Sequence, residues 1–449
     1  MTWLRWLSVT CVLALVFAIG GCTGSSGGEN RGGEGDGSGG SEGSGGSDPG
    51  TGGADWAGNG NGNGDAAVFG ADAEVGDDPC TEVTVGKLDL LFVVDDSRSM
   101  IQEQESLRRE FPRLLNVLTS GQRPGKEEMP PITDLHLGVV STDMGLSDVE
   151  GIPSCYGLGK DAVLQNVASQ DVTACADEYP RYLTYEAGVD DPDALANDFA
   201  CIASLGTEGC GFEQPLEAAL KAMWPTVDDD FIFLNPDPDG ESGGQGDREN
   251  AGFARDYREA EQSVIAVVVV TDEEDCSAQD YTHFTPSHLL PADDPLAAQP
   301  INTRCFHNKD NLYAVERYIN GLKGLRPDTD AVLFAAIAGV PPETVDAQAR
   351  AGVDFADPLE RDTYYDAILA HPQMQETLDM PVTMAQQNVA PSCTTDSGRA
   401  YPPRRIVDVA RGFGDQGVIQ SICEPDFGPA MDVIIDGIGR SLNNLCFLE

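Results

Sequence analysis

The stretch 87–100, KLDLLFVVDDSRSM, constrains the chain more than any other. Leu88, Leu90, Leu91, Phe92, Val93 and Val94 form an apolar run broken only by Asp89. A run of this length and kind predicts a strand covered on both faces, as in the middle of a parallel sheet. It stops at Asp95, Asp96, Ser97, Arg98 and Ser99, and Leu107, Phe111, Leu114, Leu115 and Leu118 then recur at helical spacing. A buried strand that ends in carboxylates and hydroxyls before turning into a helix places polar groups where open α/β sheets bind ligands. A plainer role for the same residues is helix capping by Ser97 or Ser99.

Further strands and helices follow in alternation. Leu135, Leu137, Val139 and Val140 predict a second strand, ending in Ser141, Thr142 and Asp143. Residues 263–271, SVIAVVVVT, form another buried strand and end in Asp272, Glu273, Glu274 and Asp275. Strands are also predicted over 331–339 and 417–422. Helices are predicted over 212–224, 308–324 and 429–448. Strands interleaved with helices indicate an α/β fold, a doubly wound, mostly parallel sheet with helices on both faces. The stretch 144–205 reads as irregular, with a short edge strand at 181–185, and 340–406 reads as decoration.

Asp95, Ser97 and Ser99, set between a buried strand and a helix, match the DxSxS motif of the von Willebrand factor type A (VWA) domain, and the chain resembles that family. The resemblance implies a Rossmann-like doubly wound fold and a metal-ion-dependent adhesion site holding a divalent cation: magnesium, with calcium or manganese as substitutes. By the same resemblance, a Thr before the helix at 212–224 supplies a third hydroxyl. Thr207 is the candidate and Thr142 the alternative. Asp272 then completes the site, although Glu273 stands where the family has Gly. Arg98 replaces a small residue of the motif and is expected to crowd the ion or pair with Asp96. Few direct anionic ligands would leave the ion able to recruit a carboxylate from a protein partner. The expected activity is therefore binding and not catalysis, because no positioned base or nucleophile is evident. The competing expectations are a structural envelope lipoprotein with a vestigial metal site and, further off, a metal-assisted phosphohydrolase on Asp95 and Asp272.

The N-terminal end carries Arg5 and then an apolar run over 9–19, too short to span a membrane comfortably and suited to a secretory signal. Ile19, Gly20, Gly21 and Cys22 resemble a bacterial lipobox, which implies cleavage after residue 21 and a lipid on Cys22. Thr23 after that cysteine implies the outer membrane by analogy with lipoprotein sorting, with the body either periplasmic or surface-exposed. Between residues 23 and 65 there are 19 glycines, a composition that cannot bury a core. As a coil this segment spans roughly 35–40 Å. The expected organisation is thus 1–21 signal, 22–79 linker, and 80–449 one VWA-like domain with insertions at about 143–205, 276–307 and 340–406. Two GxSxG matches in the linker lack the strand–turn–helix setting of a nucleophile elbow.

A formal net charge of −48 opposes binding to nucleic acid or anionic lipid. Ten of the 12 cysteines lie beyond Cys22, and in an exported chain they predict disulfides, up to five. Spacing cannot fix the pairing; the expected bonds are Cys201–Cys210, Cys276–Cys305 and Cys80–Cys446, stapling the insertions and joining the ends. No Cys or His spacing suits zinc. The acidic stretch 235–249 places Asn235, Asp237, Asp239 and Gly240 like the start of a calcium loop. Gly246, however, stands where an EF-hand needs Glu, so a flexible acidic loop is expected.

Overall fold

The computed structural model describes residues 86–444 apart from 171, 229, 235–242, 257–262, 380–386 and 396–397. The expected signal, Cys22, the linker, the Cys80–Cys446 bond and the first part of the acidic loop lie outside the described residues.

Strand β1 (Lys87–Val94) occupies the middle of a six-stranded sheet. It pairs in parallel with β2 (Asp134–Ser141) on one side and with β4 (Val264–Val270) on the other. Beyond β4 lie β5 (Val332–Ala338) and the strand Gly417–Ser421, both parallel. On the far edge β3 (Leu183–Glu186) runs antiparallel to β2. The apolar run in β1 is explained by its two covered faces. Leu88, Leu90, Phe92 and Val94 point into one apolar cluster, with α1 (Ile101–Ser120), α2 (Pro192–Ile202) and the helix Gly428–Asn444. Leu91 and Val93 point into a second cluster, with α3 (Pro215–Met223) and the helices Val315–Lys323, Pro358–Ala370 and Arg404–Gly412. Each fully buried Leu, Val or Phe stabilises the fold by about 1.5–3 kcal/mol over an exposed one. Phe92, Phe111 and Phe199 close the first face, with ring centroids 4.0–5.5 Å apart.

Three expectations need correction. First, 144–205 is not irregular throughout. The edge strand expected at 181–185 is β3, but the stretch also contains α2, which is started by Asp191, whose side chain accepts from the Asp193 N–H, with Pro192 in the first turn. Second, 340–406 is more than decoration, because Tyr364, Tyr365 and Ile368 of the helix Pro358–Ala370 enter the core. Third, the disulfides are Cys155–Cys210, Cys175–Cys201, Cys276–Cys305 and Cys393–Cys423. The Cys276–Cys305 pairing is as expected and Cys201–Cys210 is not. The reason is packing: α2, which carries Cys201, packs on the first face through Phe199 and Ile202. Cys210 instead joins Leu146, Cys155, Phe212 and Phe284 in a separate small cluster.

Candidate functional site

Register sets the site. Val94 lies opposite Val270, and the Asp95 N–H donates to the Val270 carbonyl at 2.9 Å, so β1 and β4 leave the sheet side by side. Their next residues therefore meet. The Thr271 hydroxyl donates to Asp95 Oδ2 at 2.7 Å, and the Ser97 N–H donates to Asp95 Oδ1 at 2.7 Å. Ser97 Oγ and Ser99 Oγ are 3.1 Å apart, and Ser99 Oγ donates to Asp272 Oδ1 at 3.3 Å. A continuous hydrogen-bonded chain thus runs from Thr271 to Asp95, through the N–H and then the hydroxyl of Ser97, to Ser99 and Asp272. The second carboxylate oxygen of Asp272 is buried without a hydrogen-bond partner.

The loop carrying Thr207 is tied to this turn at two points. Gln104 of α1 donates to the Asp95 carbonyl at 2.9 Å and to the Gly206 carbonyl at 2.8 Å, and accepts from the Gly206 N–H at 3.3 Å. The Gly209 N–H donates to the Asp96 carbonyl at 2.9 Å. A side chain at 209 would run into Asp96, so the close approach of the two loops requires glycine there. Thr207 lies half-buried between these tethers, outside the hydrogen-bonded chain. Thr142 stands at the end of β2, with its N–H on the Val94 carbonyl at 3.3 Å. Its hydroxyl is buried and unpartnered. Asp96 points away into an anchoring role, accepting from Ser141 Oγ at 2.6 Å and pairing with Lys160. Its partner is thus Lys160, while Arg98 is exposed.

The electrostatics are those of acids gathered without bases. Burial pushes the Asp95 carboxyl up to about 6, against the lowering effect of hydrogen bonds from Thr271 and Ser97. Burial and the neighbouring Asp95 push Asp272 up to about 8, with Ser99 opposing. Glu273 and Glu213 are held well above the usual carboxylate range by burial and then by acidic neighbours, Asp272 and Asp95 for the first and Asp95 and Glu273 for the second. Burial raises Glu103 as well, with Asp95 adding to the effect. None of these groups forms an ion pair among the described residues. Such a cluster must hold protons or gain a cation.

Among the described residues, no three His, Cys, Asp or Glu side chains are grouped as a metal cage. The oxygens that do converge are two carboxylates joined through hydroxyls. The donor chemistry, oxygen only, and the orphaned Asp272 oxygen fit a hard divalent cation completed by water. The DxSxS pattern does not reveal Thr271, Gln104 or Glu213. Only the strand-end position of Thr271 signals its role, and Glu213 is recognisable only as an acid at the mouth of an apolar helix. No described helix is long and apolar enough to cross a membrane. No family model matches the chain, and a search of curated proteins returns no match.

Proposed function

We propose that the chain is a protein-binding module of the VWA type, doubly wound, tethered to the outer membrane through a lipid on Cys22. It takes a divalent cation, magnesium first, on Asp95, Ser97, Ser99, Thr207 and Asp272. The single observation that carries this reading is the meeting of Asp95 and Asp272 through Ser97 and Ser99, with one Asp272 oxygen left unpartnered in a buried setting. A polar atom so placed costs free energy unless something answers it.

Each residue has a task. Asp95 is aimed by Thr271 and by the Ser97 N–H, so its geometry is set before any ligand arrives. Ser97 and Ser99 offer neutral oxygens that add no charge to the site. Gln104 holds the Thr207 loop against the β1 turn. When bound, a divalent ion held largely through neutral hydroxyls stays electrophilic enough to accept a carboxylate oxygen in place of a water. The partner is accordingly a protein presenting an Asp or Glu side chain.

Two measurements test this reading. Titration of the chelated full chain with magnesium should raise its melting temperature, and Asp95→Ala should abolish the rise. A chelator-sensitive pull-down from envelope extract should lose its partner in the same variant. If magnesium, calcium and manganese all leave the melting temperature unmoved, the metal reading is sunk and the chain is a structural envelope lipoprotein. Cys22→Ser should release the protein from the membrane fraction.

A further inference from the structure

We propose that the cavity beside Asp272 receives one basic side chain, lysine or arginine, from the same protein partner. The identification of the partner rests on the proposed function; the chemistry of the cavity does not. The cavity, about 200 Å³, lies where the loop after β4 faces the start of α3. It has room for one long side chain and is smaller than most small-molecule sites. Phe212, Phe306, Leu312 and Pro402 give it apolar walls, and acids stand among them.

The acids fall into two groups. Asp275 accepts from Arg405 Nε at 3.0 Å and from Ser277 Oγ at 2.7 Å. Glu274 accepts from the Arg405 N–H at 3.0 and 3.1 Å, and Glu376 pairs with Lys309. These three are answered within the chain. Glu213 and Glu273, which also line the cavity, form no ion pair among the described residues. Glu213 is only 3 % exposed, and its side chain meets no donor but its own backbone N–H. The cations that line the cavity, Lys309 and Arg405, are engaged by Glu376 and Asp275, so a carboxyl as deeply buried as Glu213 has no cation paired to it, a costly arrangement for an empty site.

The occupant follows by elimination. An anion would meet Glu213 and Glu273 at close range. A neutral apolar group would desolvate Glu213 without pairing it. An inorganic ion would leave the apolar walls uncovered and would find only Glu213 and Glu273 not already accepting from Arg405 or paired with Lys309. An alkylammonium or guanidinium satisfies both halves of the cavity, with methylenes on the aromatic walls and the charged head on the acids.

The test uses the full chain and N-acetyl-lysine amide, with N-acetyl-norleucine amide as the same stem without charge, both titrated in EDTA and again in magnesium. Neither probe carries a free carboxylate, so binding is read independently of the metal site. Saturable binding of the lysine amide and none of the norleucine amide is expected. Glu213→Gln should weaken the lysine amide about tenfold or more without lowering the melting temperature, since it removes a buried repulsion. Equal binding of both probes, no saturable binding of either the lysine amide or N-acetyl-arginine amide, or undiminished affinity in Glu213→Gln overturns the proposal. So does simple competition between magnesium and the probe that Glu213→Gln abolishes, which would make the cavity an inorganic cation site. The probe comparison in the unaltered protein stands even if the variant folds poorly. Lysine amide binding that persists in a chain with no magnesium response would leave this proposal intact and sink the metal reading alone.

Discussion

Two buried aspartates on β1 and its exit, Asp89 and Asp95, have opposite surroundings. Both are fully buried. Asp89, near the start of the strand, accepts from the Arg255 N–H at 3.0 Å, from Arg326 at 2.9 Å and from Ser263 Oγ at 2.7 Å, and pairs with the Arg255 guanidinium. Its charge is answered inside the chain. Asp95, past the end of the strand, receives only neutral donors, Thr271 and the Ser97 N–H, and its neighbours are further acids. One end of the sheet is electrostatically closed, and the other gathers acids that form no ion pair among the described residues. A buried carboxylate by itself therefore says nothing about function; the sign of what surrounds it does.

The sharpest way to break this contrast is to remove each aspartate in turn. Asp89→Ala leaves buried Arg326 without its carboxylate and Arg255 with Asp134 alone, and should cost about 3–5 kcal/mol in denaturant unfolding. Asp95→Ala in chelator should cost far less. Equal losses would erase the distinction. Next in size is the ligand effect: magnesium at a hundredfold excess over its dissociation constant should stabilise the native chain by about 2.7 kcal/mol, and Asp272→Asn should remove that gain.

The third effect is on pH dependence in chelator. An ordinary Asp titrates near 3.8, whereas Asp95 and Asp272 in the fold are raised to about 6 and about 8. Over that interval the folded chain binds more protons than the unfolded one, so stability is greatest in mild acid and falls as pH rises toward 8. A loss of about 1–3 kcal/mol is expected, with a flatter profile in Asp272→Asn. A stability curve that rises across that range would contradict the raised carboxyls. Smallest is Ser99→Ala, which in chelator should cost about 0.5–1.5 kcal/mol yet weaken magnesium binding in calorimetry.

What could be read from the sequence follows from how strongly each element is forced. β1, β2, β4 and β5 were legible because a strand covered on both faces has no choice but to be apolar along its length. The meeting of Asp95 with Asp272 was legible because each ends such a strand. Two helices were not: Pro358–Ala370 buries only Tyr364, Tyr365 and Ile368 on a weakly amphipathic pattern, and Pro192–Ile202, though Leu195, Phe199 and Ile202 keep helical spacing, is a short helix inside a long cysteine-bearing stretch. Both nevertheless open on Asp-Pro, with Asp191 and Asp357 capping the first turn, and that pair was the available signal. Glu213, the acid most isolated from any cation, was illegible because its isolation depends on which distant groups fold toward it. Cysteine pairing failed for the same reason, since Cys201 and Cys210 are near in sequence, but Cys201 rides on a helix packed on the first face while Cys210 enters the separate small cluster.

The Cys155–Cys210 bond joins the long insertion to the loop that bears Thr207. Under reducing conditions the sheet would keep its strand pairing, since neither cysteine lies in a strand, yet the loop that bears Thr207 would lose its covalent tie to the insertion. Under the proposed function, the ligand-facing edge would then mature only on export, and the protein would acquire its full grip after arriving where it is used.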